Sequence, residues 1–172
     1  KLEFTLEQHN ALKGECEKFN VIYSTSVWDL NAASEMIQLK PKLLKIPSAT
    51  NTDKNLLEFL FKNYKGEIHI SLGMTKKDEE AKIFQLAKKY EREKDTIFYH
   101  CISSYPVETD NLFLNEITNL KKMYDEKLKG IGFSGHHKGI APDIAALTLG
   151  AKYFERHFTL DRTWKGTDHA AS

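Results

Sequence analysis

The chain has 172 residues, 41% hydrophobic and 28% charged, with a formal net charge of +1. Such proportions describe one ordinary globular core, and without a clustered basic block a nucleic-acid partner is not expected. No apolar run approaches the roughly 20 residues of a membrane span, and no signal peptide is visible within these residues. Cys16 and Cys101 are too far apart for a zinc ribbon or a Cys-x-x-Cys pair, so reduced thiols and a cytoplasmic setting are expected.

Thr5-Leu6-Glu7-Gln8 has the form of a capping box, with Leu6, Leu12 and Cys16 following at roughly helical spacing. Asn20–Ser24 is a short β-rich run, and Asn31–Leu39 is helical in pattern. Lys42–Ile46 reads as a strand cut by Pro47. Asn55–Tyr64 reads as a helix with Gly66 where a C-terminal cap belongs. Glu67–Ser71 is the next strand, and Thr75 is expected to cap a helix reaching about Glu91. Then come a strand at Thr96–Cys101, a helix at Asn111–Met123, a strand at Gly130–Phe133, a helix at Ile140–Leu149 and a strand at Lys152–Phe158.

Strands alternating with helices argue for α/β architecture from parallel βαβ units, either doubly wound or closed into a barrel. No Gly-x-Gly-x-x-Gly follows the early strands, which disfavours a dinucleotide sheet. Polar residues instead recur at strand ends: Thr25 or Ser26, Lys45 with Ser48, Ser71, His100 with Ser103, Ser134 with His136, and His157. That spread is the habit of a (β/α)8 TIM barrel. Six strands cannot close an eight-stranded barrel, so residues 1–172 are expected to be a partial one, with two strands preceding Lys1.

Two successive strands each deliver a histidine, His136 and His157, to the same rim. Alternation groups Gly132, Ser134 and His136 on one face, and Tyr153, Glu155 and His157 on another. If Phe154 and Phe158 face outer helices, Glu155 and His157 face the interior, leaving Arg156 pointing outward without an evident reason. Two imidazoles sharing a divalent cation would leave most of its coordination sphere to substrate and water, as catalysis requires. The alternative is that each is a satisfied polar residue at a loop mouth. Ser48, Ser71, Ser103 and Ser134 end successive strands beside Lys45. Together they would suit a phosphate or carboxylate held by neutral hydroxyls and one cation, although serine is also an ordinary turn residue. Asp168 lies in the loop after the last strand. A Ser-His-Asp triad lacks its Gly-x-Ser-x-Gly elbow.

Several segments together resemble the sialic acid synthase family. They are Tyr23-Ser24-Thr25-Ser26, Lys45-Ile46-Pro47-Ser48, Ile70-Ser71-Leu72-Gly73-Met74 and His100-Cys101-Ile102-Ser103-Ser104-Tyr105-Pro106, with the closing block from Gly132 to Ser172. The most specific parts of that block are Glu155-Arg156-His157-Phe158-Thr159-Leu160-Asp161 and the Gly166–Ser172 loop.

The resemblance implies a TIM-barrel enzyme condensing phosphoenolpyruvate with N-acetylmannosamine or its 6-phosphate. It implies a divalent metal, Mn2+ with Mg2+ or Co2+ as alternatives, held by His136 and His157. It places Lys45, Ser48, Ser71, Ser103 and Ser134 against phosphoenolpyruvate, Thr25 on the phosphate side and Tyr105 near the sugar. Asp168 would handle the sugar's aldehyde or a hydroxyl. Gly135-His136-His137 and Thr163-Trp164-Lys165-Gly166 look more like the eukaryotic, 9-phosphate-forming branch. Family members are homodimers whose small antifreeze-like C-terminal domain reaches over the partner's active site, and residues 1–172 show no counterpart of it. Two other readings stay open: a metal-dependent aldolase or lyase using Lys45 as a Schiff-base amine, and a non-catalytic sugar- or phosphate-binding fragment.

Overall fold

The structure, a computed structural model, describes residues 3–166 and 168–172. Its sheet runs β1 (Leu43–Ile46), β2 (Glu67–Ser71), β3 (Thr96–Cys101), β4 (Gly130–Gly135) and β5 (Tyr153–Arg156), all parallel and in chain order. The helices are α1 (Leu6–Lys18), α2 (Leu30–Gln38), α3 (Lys54–Asn63), α4 (Lys77–Lys89), α5 (Asn115–Tyr124) and α6 (Ala141–Thr148). Because strand order never reverses, right-handed crossovers step the same way each time and lay their helices on one face. A doubly wound sheet needs a reversal, and none occurs among the described strands. The result is a parallel half-barrel.

Strand alternation divides the sheet chemically. Leu44, Ile46, Ile68, Ile70, Phe98, Ile131 and Phe133 turn to the helices and join Leu56, Leu60, Phe61, Ile83, Ile117 and Leu120 in one buried core. The opposite, concave face carries Lys45, His69, Ser71, Tyr99, Cys101, Ser134 and Glu155. Register fixes this arrangement, since Lys45 pairs with His69, Ser71 with Tyr99, and Ser134 with both Cys101 and Glu155.

The Thr5 capping box forms as read, with Gln8 N donating to Thr5 Oγ1 at 3.3 Å and Thr5 N to Gln8 Oε1 at 2.8 Å. Four local expectations are corrected. Asn20–Ser24 joins no ladder, and Val21 and Ile22 are exposed. The stretch reaches β1 through Ser24 Oγ, which donates to the Leu43 carbonyl at 3.2 Å, and just beyond it through an isolated parallel bridge of Ser26 with Lys45. Gly66 is not the cap of α3, which ends on Tyr64 in extended conformation. A side chain at residue 66 would collide with the Tyr64 hydroxyl, and the Gly66 carbonyl accepts from Arg92 Nη2 at 2.6 Å. Thr75 does not cap α4, because its hydroxyl is engaged by the Gly73 carbonyl and by Asn51 Nδ2; Glu79 takes the Lys76 amide instead, at 2.8 Å. The helix expected from Asn111 begins at Asn115, after a 3-10 turn at Thr109–Asn111.

Candidate active site at the carboxyl ends of the strands

The concave face gathers its polar groups at the carboxyl rim. Lys45 forms an ion pair with Glu155 across the hollow, and Ser134 Oγ donates to the same Glu155 oxygen at 2.7 Å. The Lys45 ammonium also lies 5.0 Å from the Tyr99 ring centroid. Burial works to raise the Glu155 carboxyl, but the Lys45 charge, hydrogen bonds from Lys45 and Ser134, and His136 outweigh it and hold Glu155 below the usual carboxylate range.

Beside this pair lies a cradle of hydroxyls. Gly73 N donates to Ser48 Oγ at 3.0 Å, and Ser48 donates to Cys101 Sγ at 3.7 Å. An added Cβ at Gly73 would sit 2.5 Å from Ser103 Oγ and 2.6 Å from Ser48 Oγ, so two side chains and one stretch of main chain converge there. Ser71 is buried and its Oγ finds no hydrogen-bond partner among the described residues. An orphaned buried hydroxyl beside a lysine and two further hydroxyls fits a site built to receive an acceptor-rich group. Asn51, buried beneath, holds the Ser71 carbonyl at 2.7 Å and the Thr75 hydroxyl at 2.6 Å, which shapes the turn bearing Gly73. Burial pushes the Cys101 thiol up, against hydrogen bonds from Ser48 and Ser134, which favours an inert thiol.

On the β4–β5 side, the rings of His136 and His157 lie 5.2 Å apart at 54°. Tyr105 joins them, with its ring 4.1 Å from His136 and 5.7 Å from His157. His136 Nδ1 donates to the Ile102 carbonyl at 2.8 Å, which leaves Nε2 with its lone pair. Burial, opposed by the Ile102 bond, lowers the His136 value, and burial likewise lowers that of His157. Both are therefore neutral near pH 7, the form that ligates a metal. Among the described residues no group of three or more His, Cys, Asp or Glu is placed to hold an ion.

The remaining candidates divide. Asp168 opens the 3-10 turn at His169–Ala171, its carbonyl accepting from Ser172 Oγ at 3.0 Å, and its charge is felt by His157, His136 and Tyr105. Thr167, next to it, lies outside the described residues. Thr25 is not brought in: its carbonyl accepts from Lys45 N, and pairing puts Ser26 on the Lys45 face while Thr25 shares the other face with buried Val27. His137 is likewise turned away, packed on Phe133 at 5.6 Å. Glu155, Gly73 and Asn51 were not singled out as site residues from sequence. For Glu155 the signal was present, since it lies two residues before His157 on an alternating strand.

A parallel α/β sheet with its reactive side chains gathered beyond the strand carboxyl ends is a recurrent active-site arrangement. The chain belongs to the NeuB family, which it matches over residues 1–172. It is 34% identical over 171 residues to human N-acetylneuraminate-9-phosphate synthase, covering 99% of this chain and 46% of that protein. It is also 34% identical to the N,N'-diacetyllegionaminic acid synthase of Campylobacter jejuni, covering 100% of this chain and 51% of that one. The crystal structure of N-acetylneuraminic acid (sialic acid) synthetase from Leptospira borgpetersenii serovar Hardjo-bovis, in complex with citrate, superposes with a TM-score of 0.91 at 29% identity, covering 99% of this chain and 57% of that chain. The chain thus spans about half the length of the curated relatives it matches.

Proposed function

We propose that the half-barrel is part of a (β/α)8 barrel whose complete protein is a nonulosonic acid synthase. It would condense phosphoenolpyruvate with N-acetylmannosamine or its 6-phosphate and release phosphate. The observation that carries this reading is the meeting, on one concave face, of a lysine-and-hydroxyl cradle and a pair of adjacent imidazoles. Ser48, Ser71, Ser103 and Lys45 supply donors for the carboxylate and phosphate of phosphoenolpyruvate. Tyr105 and Asp168 border the histidine side, where the sugar would lie.

His136 and His157 would hold a divalent ion, Mn2+ first and Mg2+ or Co2+ next, which when bound would polarise the sugar aldehyde as a Lewis acid. The donor set fits, since both rings are neutral and one has its Nδ1 already engaged. In the reaction, the enol carbon of phosphoenolpyruvate bonds to the aldehyde carbon. Water then adds to the neighbouring centre, and the tetrahedral adduct expels phosphate. Lys45 and the serines hold one reactant while Tyr105 and Asp168 orient the other, and such alignment removes several kcal/mol of the barrier. A Schiff-base aldolase would need a free Lys45 amine, whereas Lys45 is ion-paired with Glu155. The setting would be cytoplasmic and the complete protein a homodimer. No described helix is long and apolar enough to cross a membrane.

The test is phosphate release by the complete protein with Mn2+. Its acceptors are N-acetylmannosamine, its 6-phosphate, mannose 6-phosphate and a bacterial diamino sugar. The reading expects sugar-dependent release with at least one acceptor, the 6-phosphate being tried first because the human relative is named for the 9-phosphate product. Phosphoenolpyruvate binding without release under any metal would leave only a binding protein.

A further inference from the structure

Arg156 sits between Glu155 and His157, the two β5-side residues that face the hollow, and points the other way. Its side chain is 24% exposed and folded over the segment that follows β4. Nη2 donates to the His137 carbonyl at 2.7 Å, and Nη1 donates to Asp143 Oδ2 at 2.9 Å and to the Gly139 carbonyl at 3.3 Å. Nη1 also meets His137 Nε2 at 2.5 Å. Arg156 thus spans β5, the β4–α6 loop and the first turn of α6.

Its position in the ladder gives these contacts their meaning. The β4–β5 pairing ends at Gly135 with Arg156, one residue short of both His136 and His157. Beyond that point the sheet no longer ties the two histidines to each other. His136 is held from the β3 side, where Ile102 accepts from its ring and its carbonyl accepts from Val107 N at 3.0 Å. Toward β5 the loop after β4 is fastened, among the described residues, by the guanidinium of Arg156.

We infer that Arg156 is the positioning residue that sets the spacing and angle of the His136 and His157 rings, by fastening the loop after β4 to the strand that delivers His157. The inference rests on the reading that these two imidazoles hold a divalent ion, and it explains how their geometry is kept. A planar fork reaches a carbonyl and a carboxylate at once, which a lysine ammonium does less well. Being largely covered, the cluster is not an ordinary solvated surface pair.

Calorimetric titration of Mn2+ into the substrate-free complete protein, with kcat and KM for phosphoenolpyruvate measured alongside, tests this. Arg156→Met should weaken Mn2+ about 10- to 100-fold and lower kcat, leaving KM for phosphoenolpyruvate near the parent value, because the anion cradle lies on other strands. Arg156→Lys should recover only part of the Mn2+ affinity. A folded Arg156→Met protein that binds Mn2+ like the parent, while His157→Ala does not, overturns the inference. Parent-like Mn2+ binding by His157→Ala would instead remove the two-imidazole reading itself. If Arg156→Met does not fold, Asp143→Asn takes its place. It keeps the Arg156 bond to the His137 carbonyl, loses the charge pair and weakens the Asp143 contact with His137 Nε2 at 3.2 Å, and about a 3-fold loss is expected. Unchanged affinity in folded Asp143→Asn overturns the inference equally.

Discussion

Phe98 and Tyr99 are adjacent on β3 and serve opposite ends. Phe98 is fully buried against the helices, its ring 5.5 Å from that of Tyr124. Tyr99 turns into the hollow, where its hydroxyl hydrogen-bonds His69 Nδ1 at 2.8 Å and burial pushes its own value above the ordinary tyrosine range. The same division runs along β1 to β4, with His100 a polar exception on the helix side. One side is hydrocarbon that holds the fold; the other is polar and engages in pairs or awaits a partner. The outer face of β5 instead carries half-exposed Phe154 and the charged Arg156. Because side chains alternate, a slip of one residue would exchange the two sets, so the core enforces the register that assembles the site.

The largest effect should come from truncating the convex face. Phe98→Ala should cost about 3–5 kcal/mol of folding stability, measured by denaturant titration, and the site should fail with the fold. A stable, active variant would show that the outer face does not carry the structure. Next in size is Lys45→Met on the concave face. Losing a charged donor should weaken phosphoenolpyruvate by roughly 1.5–3 kcal/mol, read as a rise in KM, with the fold retained; an unchanged KM removes Lys45 from the anion cradle. Ser71→Ala should be near neutral or slightly stabilising in a thermal melt, since its hydroxyl has no hydrogen-bond partner among the described residues. It should still raise KM for phosphoenolpyruvate severalfold. Destabilisation without any change in KM would make Ser71 a structural residue.

The smallest effect is one the two faces share. Burial holds His69, inside the hollow, and His100, on the helix side, below the ordinary histidine value. Each binds a proton more readily unfolded than folded. Stability is therefore fully present above the unfolded value of about 6.5 and is lost as pH falls below it. Glu155, depressed in the fold, acts in a lower window: its contribution is present above the unfolded carboxylate value and fades as pH falls through its folded one. The thermal midpoint should decline between about pH 6.5 and 5; a flat profile there would mean that neither histidine is as enclosed as described.

Much of the framework was legible because it rests on local rules. The capping box needs only Thr5 and Gln8, and the inward orientation of Glu155 and His157 needs only alternation. What escaped depended on partners elsewhere. Val21 and Ile22 have strand character, but such propensity reports a half-buried pleated surface, and both are exposed here. Thr75 is a good cap by type, yet Asn51 and the Gly73 carbonyl claim its hydroxyl first. Arg156 looked misplaced beside two phenylalanines, because Asp143 and the His137 carbonyl that receive it are brought there by the β4–α6 loop.

Gly73 has a consequence for the serines beside it. With Ser48 and Ser103 hydroxyls 2.6 and 2.5 Å from where a methyl would project, the two serines keep their places only while residue 73 is bare peptide. Gly73→Ala would therefore have to displace the Ser48 or Ser103 hydroxyl to make room for its methyl, so the spacing of those two hydroxyls is set as much by the missing side chain as by the serines themselves.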